Sequence, residues 1–453
     1  MTGAELRKML EETLPAEVIW EAVARLGFQR RERKLDVIAL VCALVLTGGT
    51  TEAGRQAAVL RAYINEGTPK VSRGAFYGWF NQGLEGLMEE LSSRACALAA
   101  AMPPSLPGIL SGRKDWRVVD ATTVRLPKEL QGTWPGAGDY AALKVHMEYS
   151  LGVENVVGYH ITPARDHDAP HLDVDERRAG TGLLVDLAYV SFDLFRRCQQ
   201  HDVWLVVRLK SNWNVYVKAD NAALAISEDV TADGLPTRVL DGTFHVDPTR
   251  VLDVDAEVGP EGDPIPVRLI GVPTPKGYVM FLTNLSRNTH TADDIGTLYR
   301  LRWNIELANK LCKSGCALDE ISAEKPVSAI ILVHAAMIAS ILCNAIAFSD
   351  EVRRGATGTK TPPMKQGPIH PMLVAKLVWG SGLAFGYLLA DPPGAMDTWN
   401  RLAAAIDHLG RDPNWRKSPS VLDQVKRRVA PRGRPRRSKA TGKAVAVDIG
   451  GSN

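Results

Sequence analysis

At 453 residues, with 45% hydrophobic and 23% charged side chains, the chain is too long for one compact core and too apolar to be disordered or fibrous. Its net charge of +3 is close to neutral, yet between Arg411 and Lys443 the basic side chains from Arg416 to Lys439 face only Asp412 and Asp423, an end suited to a polyanion. Six scattered cysteines and an acidic start, with Glu5, Glu11 and Glu12, exclude a disulfide framework and a signal peptide and point to a reducing, cytoplasmic compartment.

Residues 1–108 read as a helical domain. Helical periodicity runs near 4–12, 16–26, 34–46, 51–64 and 85–101, and Pro103 and Pro104 close the block. Within it "TPKVSRGAFYGWFNQGL" offers Ser72 as an N-cap for a short helix bearing Arg73, Tyr77 and Trp79. This fits a helix-turn-helix DNA reader, and it fits an aromatic helix packed in a bundle equally well.

From 109 to 350 the signal is mixed. Strands are expected at 116–126, 143–151, 155–164, 182–190 and 203–210, with helices near 168–178 and 191–200, an α/β order that matches the ribonuclease H-like fold. Residues 211–276 read as a β-rich insertion that interrupts the sheet, which resumes at "YVMFLTNLS". Thr291 caps a helix running through "LYRLRWNIELANKLCKSG" (298–315). The apolar stretch 327–348 is long enough to span a bilayer, but with His334 and Asn344 inside it reads as the central helix of a large soluble protein. Residues 351–410 form a C-terminal helical region, and 411–453 a basic tail without fixed structure that adds salt-sensitive DNA affinity.

Two strands stop on an aspartate, Asp120 in "RVVDATT" and Asp186 in "GLLVDLAY". Either alone reads as a turn or helix cap. On the 298–315 helix, ~100° per residue gathers Tyr299, Arg302, Glu306 and Lys313 on one stripe and Leu298, Leu301, Ile305 and Cys312 on another. Taken alone that stripe is an exposed ladder from Arg302 through Glu306 to Lys310. Three carboxylates sharing a pocket would repel by about 4 kcal/mol per pair at an effective dielectric near 20, so they call for a hard cation such as Mg²⁺ or Mn²⁺. Asp166, His167, Asp168 and His171 open a zinc or iron reading as well, against Asp168 as a simple helix cap. Cys312 and Cys316, one turn apart, lack a second close pair and read as buried small hydrophobes.

The spacing of Tyr299, Arg302, Glu306 and Lys313 is a YREK signature. With Asp120 and Asp186 the chain resembles DDE transposases of bacterial insertion sequences, the insertion-sequence-four group. The resemblance covers about 110 to 350 and includes "RLPKEL", "TPARDHDAPHLD", "YVSFDLF" and "VVRLKSN". It implies that Asp120, Asp186 and Glu306 hold two divalent ions, Mg²⁺ or Mn²⁺. It also implies that Tyr299, Arg302 and Lys313 grip DNA near the transposon end and that Tyr278 stacks on a flipped base. Cleavage at the end, commonly through a hairpin, and joining of the 3′-hydroxyl to target DNA follow. The expected partners are double-stranded DNA, in the form of terminal inverted repeats and target, and a second copy in a homodimer at the bacterial nucleoid. The chain departs from relatives at Ala121, where glycine is frequent, and at Leu187 and Ala188, where an Arg-Gly pair is frequent. A nuclease of the same fold that cuts without joining, and an inactive DNA-binding descendant, are the competing readings.

Overall fold

The computed structural model describes residues 1–28, 35–46, 56–68, 70–217, 249–260, 262–275, 277–356 and 367–427. Among the described residues, six α-helices precede the first strand: α1 (Gly3–Thr13), α2 (Ala16–Leu26), α3 (Val37–Leu46), α4 (Gln56–Asn65), α5 (Arg73–Gly78) and α6 (Gln82–Ala100). Their starts follow cap chemistry. Thr2 and Glu5 satisfy each other's backbone N–H groups at 3.1 and 2.7 Å, Ser72 accepts from Ala75 N, and Asn81 accepts from Gly83 N and Leu84 N. Phe76 on α5 is buried among Tyr63, Trp79 and Phe80, so the short helix is held by an aromatic cluster.

Among the described residues the sheet has nine strands: β1 (Trp116–Leu126), β2 (Ala141–Ser150), β3 (Asn155–Pro163), β4 (Gly182–Val185), β5 (Trp204–Arg208), β6 (Val215–Val217), β7 (Leu252–Val258), β8 (Ile265–Thr274) and β9 (Gly277–Thr283). Their spatial order is β3-β2-β1-β4-β5-β9-β8-β7-β6. β1 to β3 form an antiparallel meander, while β4 lies parallel to β1 and β5 parallel to β4, the arrangement expected of a ribonuclease H-like core. The described strands of the insertion join the main sheet. β9 pairs antiparallel with β5, and β8, β7 and β6 extend the same sheet outward from it. The stretch 218–248 of the insertion lies outside the described residues.

The helix expected at 168–178 is replaced by two 3₁₀ turns, Ala169–His171 and Glu176–Arg178. Asp168 is no helix cap: its carboxylate takes Lys144 Nζ at 2.6 Å, and Pro170 leaves no backbone donor there. The strand expected to 190 stops at Val185, where Asp186 turns the chain into a 3₁₀ turn over Leu187–Tyr189. Helix α7 (Phe192–Gln200) then covers one face of the sheet.

The other face carries α8 (Ala292–Arg300), α9 (Trp303–Lys310) and α10 (Pro326–Ala356), followed by α11 (Pro371–Gly380), α12 (Phe385–Leu389), α13 (Ala395–Leu409) and α14 (Val421–Arg427). Over Pro326–Asp350 α10 is apolar enough to need partners on every side, and its most apolar 18-residue window is 94% buried within the protein. It finds them in α6, α3, α11 and β3. The consequence is one continuous apolar core running from Leu6 on α1 to Leu422 on α14. The N-terminal and C-terminal helices, expected as separate regions, are joined: α1 packs on α13, α3 packs on α12, and Trp379 Nε1 donates to the Val45 carbonyl at 3.3 Å.

The basic segment that opens at Arg411, expected to lack structure, is folded as far as Arg427. Arg411 reaches Asp350 and the Gly367 carbonyl, each at 3.1 Å, and pairs with Asp407. Ser420 and Asp423 cap α14, and the Lys426 amine, fully buried, meets Glu154 at 3.0 Å and the Gly152 carbonyl at 3.1 Å. Composition alone suggested solvation; each of these cations has a fixed partner instead. The rest of the tail, 428–453, lies outside the described residues.

Candidate active site

Alternation along β1 sends Val118 and Val124 to the face under α8–α10 and Val119 to the face under α7. Asp120 therefore points to the α8–α10 side. On β4, Leu184 faces that side and Val185 the other, which puts Asp186 on the same side as Asp120. The parallel register pairs Val119 with Val185, so the two aspartates are neighbours at the next step along both strands. Helix α9, which carries Glu306, packs across β1 and β2 from above. The charges of Asp186 and Glu306 both act on Asp120. Burial pushes the Asp120 carboxyl up to about 6, opposed by the Ala121 backbone N–H and the Arg302 charge and assisted by the charges of Asp186 and Glu306.

The stretch 298–315, expected as one helix, is three pieces. α8 ends at Arg300, the turn at Leu301 and Arg302 tightens to 3₁₀ bonds, α9 starts at Trp303, and a π turn spans Leu311–Gly315. Asn304 is the physical cause of the first break. Its Nδ2 donates to the Leu301 carbonyl at 2.7 Å, and the Ile305 N–H turns to Arg302 O at 3.2 Å. The signature residues thus sit on different pieces. Tyr299, on α8, lies on Phe281 with ring centroids 5.2 Å apart. Arg302, in the turn, donates to Glu306 Oε1 at 2.9 Å and lies 5.9 Å from the Tyr299 ring centre. Lys313, in the π turn, donates to the Thr123 carbonyl at 2.9 Å and stands 3.4 Å from Asp319.

Tyr278 is not part of this group. On β9 it shares parity with Met280 and Leu282, which face the core under α7, whereas Phe281 faces Tyr299. Its ring crosses Gly271, where an added Cβ would meet the hydroxyl at 2.2 Å, so the glycine makes room for it. Cys312 and Cys316 are buried free thiols; burial pushes the former up to about 11 and the latter well above its ordinary value.

Two residues that sequence reasoning passed over join the site. The β4–β5 register pairs Leu184 with Val206, which carries Arg208 alongside Asp186 on the same face. Arg208 is exposed, lines the same cleft as Tyr299 and Arg302, and its charge acts on the Tyr299 hydroxyl. The signal was present: Arg208 closes the apolar run "WLVVR" as Asp120 and Asp186 close theirs. Asn309, one residue short of a full turn beyond Glu306, brings Nδ2 to 3.4 Å from Asp120 Oδ2. The cleft, about 1040 Å³, has Arg300, Arg302, Trp303 and Lys310 on one wall and the folded 418–424 segment on the other, with Trp303 58% exposed.

The transposase DDE domain model matches residues 111–342, just over half of the chain. Over 115 residues the chain is 31% identical to the transposase for insertion sequence element IS231F of Bacillus thuringiensis subsp. israelensis, a match covering 24% of each protein. Over 285 residues it is 24% identical to the putative transposase InsL for insertion sequence element IS186A of Escherichia coli K12, covering 55% of this chain and 70% of that one. The chain thus spans about a quarter of the length of the Bacillus relative and most of the length of InsL. Among solved structures, the piggyBac transposase in its synaptic complex with hairpin DNA aligns at a TM-score of 0.45 and 11% identity, over 89% of this chain and 85% of that one. The domain match runs from just before β1 into α10, across every element that carries Asp120, Asp186 and Glu306, and the chain belongs to the DDE transposase family.

Proposed function

We propose that the protein is a cut-and-paste transposase that cleaves DNA at transposon ends and joins the freed 3′-hydroxyl to target DNA. The observation that carries this reading is that the charges of Asp186 and Glu306 both act on the buried Asp120 carboxyl, beside an arginine-lined cleft. DDE transposases generally use divalent metal ions. The donor set here is oxygen-only, which suits them, and the buried Asp120, raised to about 6 chiefly by desolvation with Asp186 and Glu306 adding to it, would gain from a bound cation. Asp120, Asp186 and Glu306 would hold two Mg²⁺ or Mn²⁺ ions, which when bound activate a water or 3′-hydroxyl and stabilise the leaving oxygen.

The chain's own groups supply the rest. Arg302 holds Glu306 in place through its 2.9 Å bond, and its planar fork suits a backbone phosphate at the cleft. Arg208 offers a second guanidinium next to Asp186, and Tyr299, its ring packed at a tilt against Phe281, presents its hydroxyl to the cleft. Lys313 ties the π turn to β1 and adds a point charge at the rim. Residues 1–108 serve as the DNA-reading end, with the exposed Arg73 on α5 available to phosphate, and two copies pair two transposon ends. Cleavage passes through a hairpin.

The test is incubation of the pure protein with Mg²⁺ and candidate terminal repeats, resolved on a denaturing gel. Joined product is the expected result. Cleavage without joining would assign a nuclease of the same fold, and binding without cleavage an inactive descendant.

A further inference from the structure

On the face of the sheet turned away from the acid cluster, three histidines converge. His146 on β2 and His160 on β3 are direct cross-strand partners, and Ala121, the residue after Asp120, is the partner of His146 on β1. His171 ends the 3₁₀ turn that folds back over them. Its ring centre lies 4.8 Å from that of His146 and 5.3 Å from that of His160. One nitrogen from each ring lies within 4.8 Å of the other two. His171 belongs to the "DHDAPH" run, but its neighbours in space are histidines from two strands, and Asp168 is taken by Lys144.

His146 is 2% exposed, and both of its ring nitrogens meet hydroxyls: Nδ1 is 3.1 Å from the Tyr189 oxygen and Nε2 is 2.9 Å from Thr162 Oγ1. A bound ion would take one of these nitrogens and leave the other on its hydroxyl, which is how a metal-bound imidazole is held in orientation. Ligation needs neutral rings, and burial together with the His160 and His171 charges holds His146 down at about 4. The His146 and His160 rings lie nearly parallel, 7° apart with centres at 4.6 Å, so a shared ion requires one ring to turn. His160 is exposed and can rotate about its broad Cβ–Cγ torsion.

We propose that His146, His160 and His171 form a binding site for a borderline divalent cation, zinc foremost, distinct from the carboxylate set on the opposite face. Imidazole nitrogens favour Zn²⁺, Ni²⁺, Co²⁺ and Cu²⁺, whereas the carboxylates favour Mg²⁺ and Mn²⁺, so the two faces select different ions. Three protein nitrogens leave a fourth position for water. The ion would clamp β2, β3 and the 169–171 turn together. Through Tyr189 it would also bear on the turn that begins at Asp186.

The experiment uses the full chain carrying Asp120→Asn, Asp186→Asn and Glu306→Gln, so that the carboxylates no longer compete. Titration with ZnCl₂ by calorimetry should give one site per chain, and Co²⁺ should give the visible bands of a nitrogen-ligated, low-coordinate ion. His160→Gln and His171→Gln, added singly to that background, should each weaken binding by roughly tenfold or more. His160 is exposed, so its replacement leaves the core untouched. Absence of zinc uptake in the acid-free background, or uptake unchanged in both histidine variants, overturns the proposal.

Discussion

Replacing Asp120 by Asn should stabilise the protein while ending its chemistry, and the pH dependence of that gain tests the burial of this carboxyl beside Asp186 and Glu306. The Asp120 carboxyl goes from an ordinary 3.8 to about 6 in the folded chain, a rise of roughly 2 units, or about 3 kcal/mol at 1.36 kcal/mol per unit. Because the folded pKa is raised, the folded state binds the extra proton between these values, and stability falls as pH rises from 3.8 through 6. Below about pH 4 both states carry the protonated acid and the penalty is absent; above about pH 7 it is complete. Asn cannot ionise and escapes it. Urea unfolding midpoints of the two proteins, measured in EDTA from pH 4 to 8, should therefore diverge by about 3 kcal/mol in favour of Asp120→Asn. Adding Mg²⁺ at pH 8 should restore stability to the parent and much less to the variant, since binding to the folded state alone stabilises it. A stability difference that stays flat with pH, or that moves in favour of the parent, refutes the claim that burial, with Asp186 and Glu306 adding to it, raises Asp120 in the folded chain.

Asp186→Asn and Glu306→Gln should each abolish end cleavage while leaving DNA binding within about twofold, checked by gel shift beside a cleavage assay; retained cleavage removes that residue from the chemistry. Arg208→Ala and Lys313→Ala should each lower the slope of log affinity against log salt by about one, the signature of a lost phosphate contact. An unchanged slope for Lys313→Ala would leave it as a strut to Thr123 alone. Ending the chain at Arg427 should lower nonspecific DNA affinity and leave the melting temperature in place. Ending it at Arg411 also removes buried Leu422 and the Lys426–Glu154 ion pair and should lower the melting temperature. Equal melting of the two truncated chains would refute the folded role of 411–427.

The parts of the fold that were legible share one property: their pattern is local and repeats. β1 spans Trp116–Leu126 in structure as in sequence, because apolar residues alternate along it and a charged loop precedes it. What the sequence concealed was set by partners distant in the chain. The apolar run "YVMFLT" gives no clue to which parity faces which core, so the side to which Tyr278 points appears only when β9 is paired with β5 and β8. His146 and His160 come together for the same reason, since a cross-strand pair depends on register and not on spacing. The break at Leu301 and Arg302 is hidden for a different cause: the helical period survives it, and one side-chain bond from Asn304 makes it. That break has a consequence for the site. A single straight helix would tie Tyr299, Arg302 and Lys313 to Glu306 as one rigid rod, whereas a 3₁₀ joint before α9 and a π turn after it give each its own anchor. Tyr299 is anchored on Phe281, and Lys313 on Thr123, three residues past Asp120. Positions on β1, β9 and α9 are thereby referred to one another through side chains, so the stripe that looked like a property of one helix is a property of the sheet beneath it.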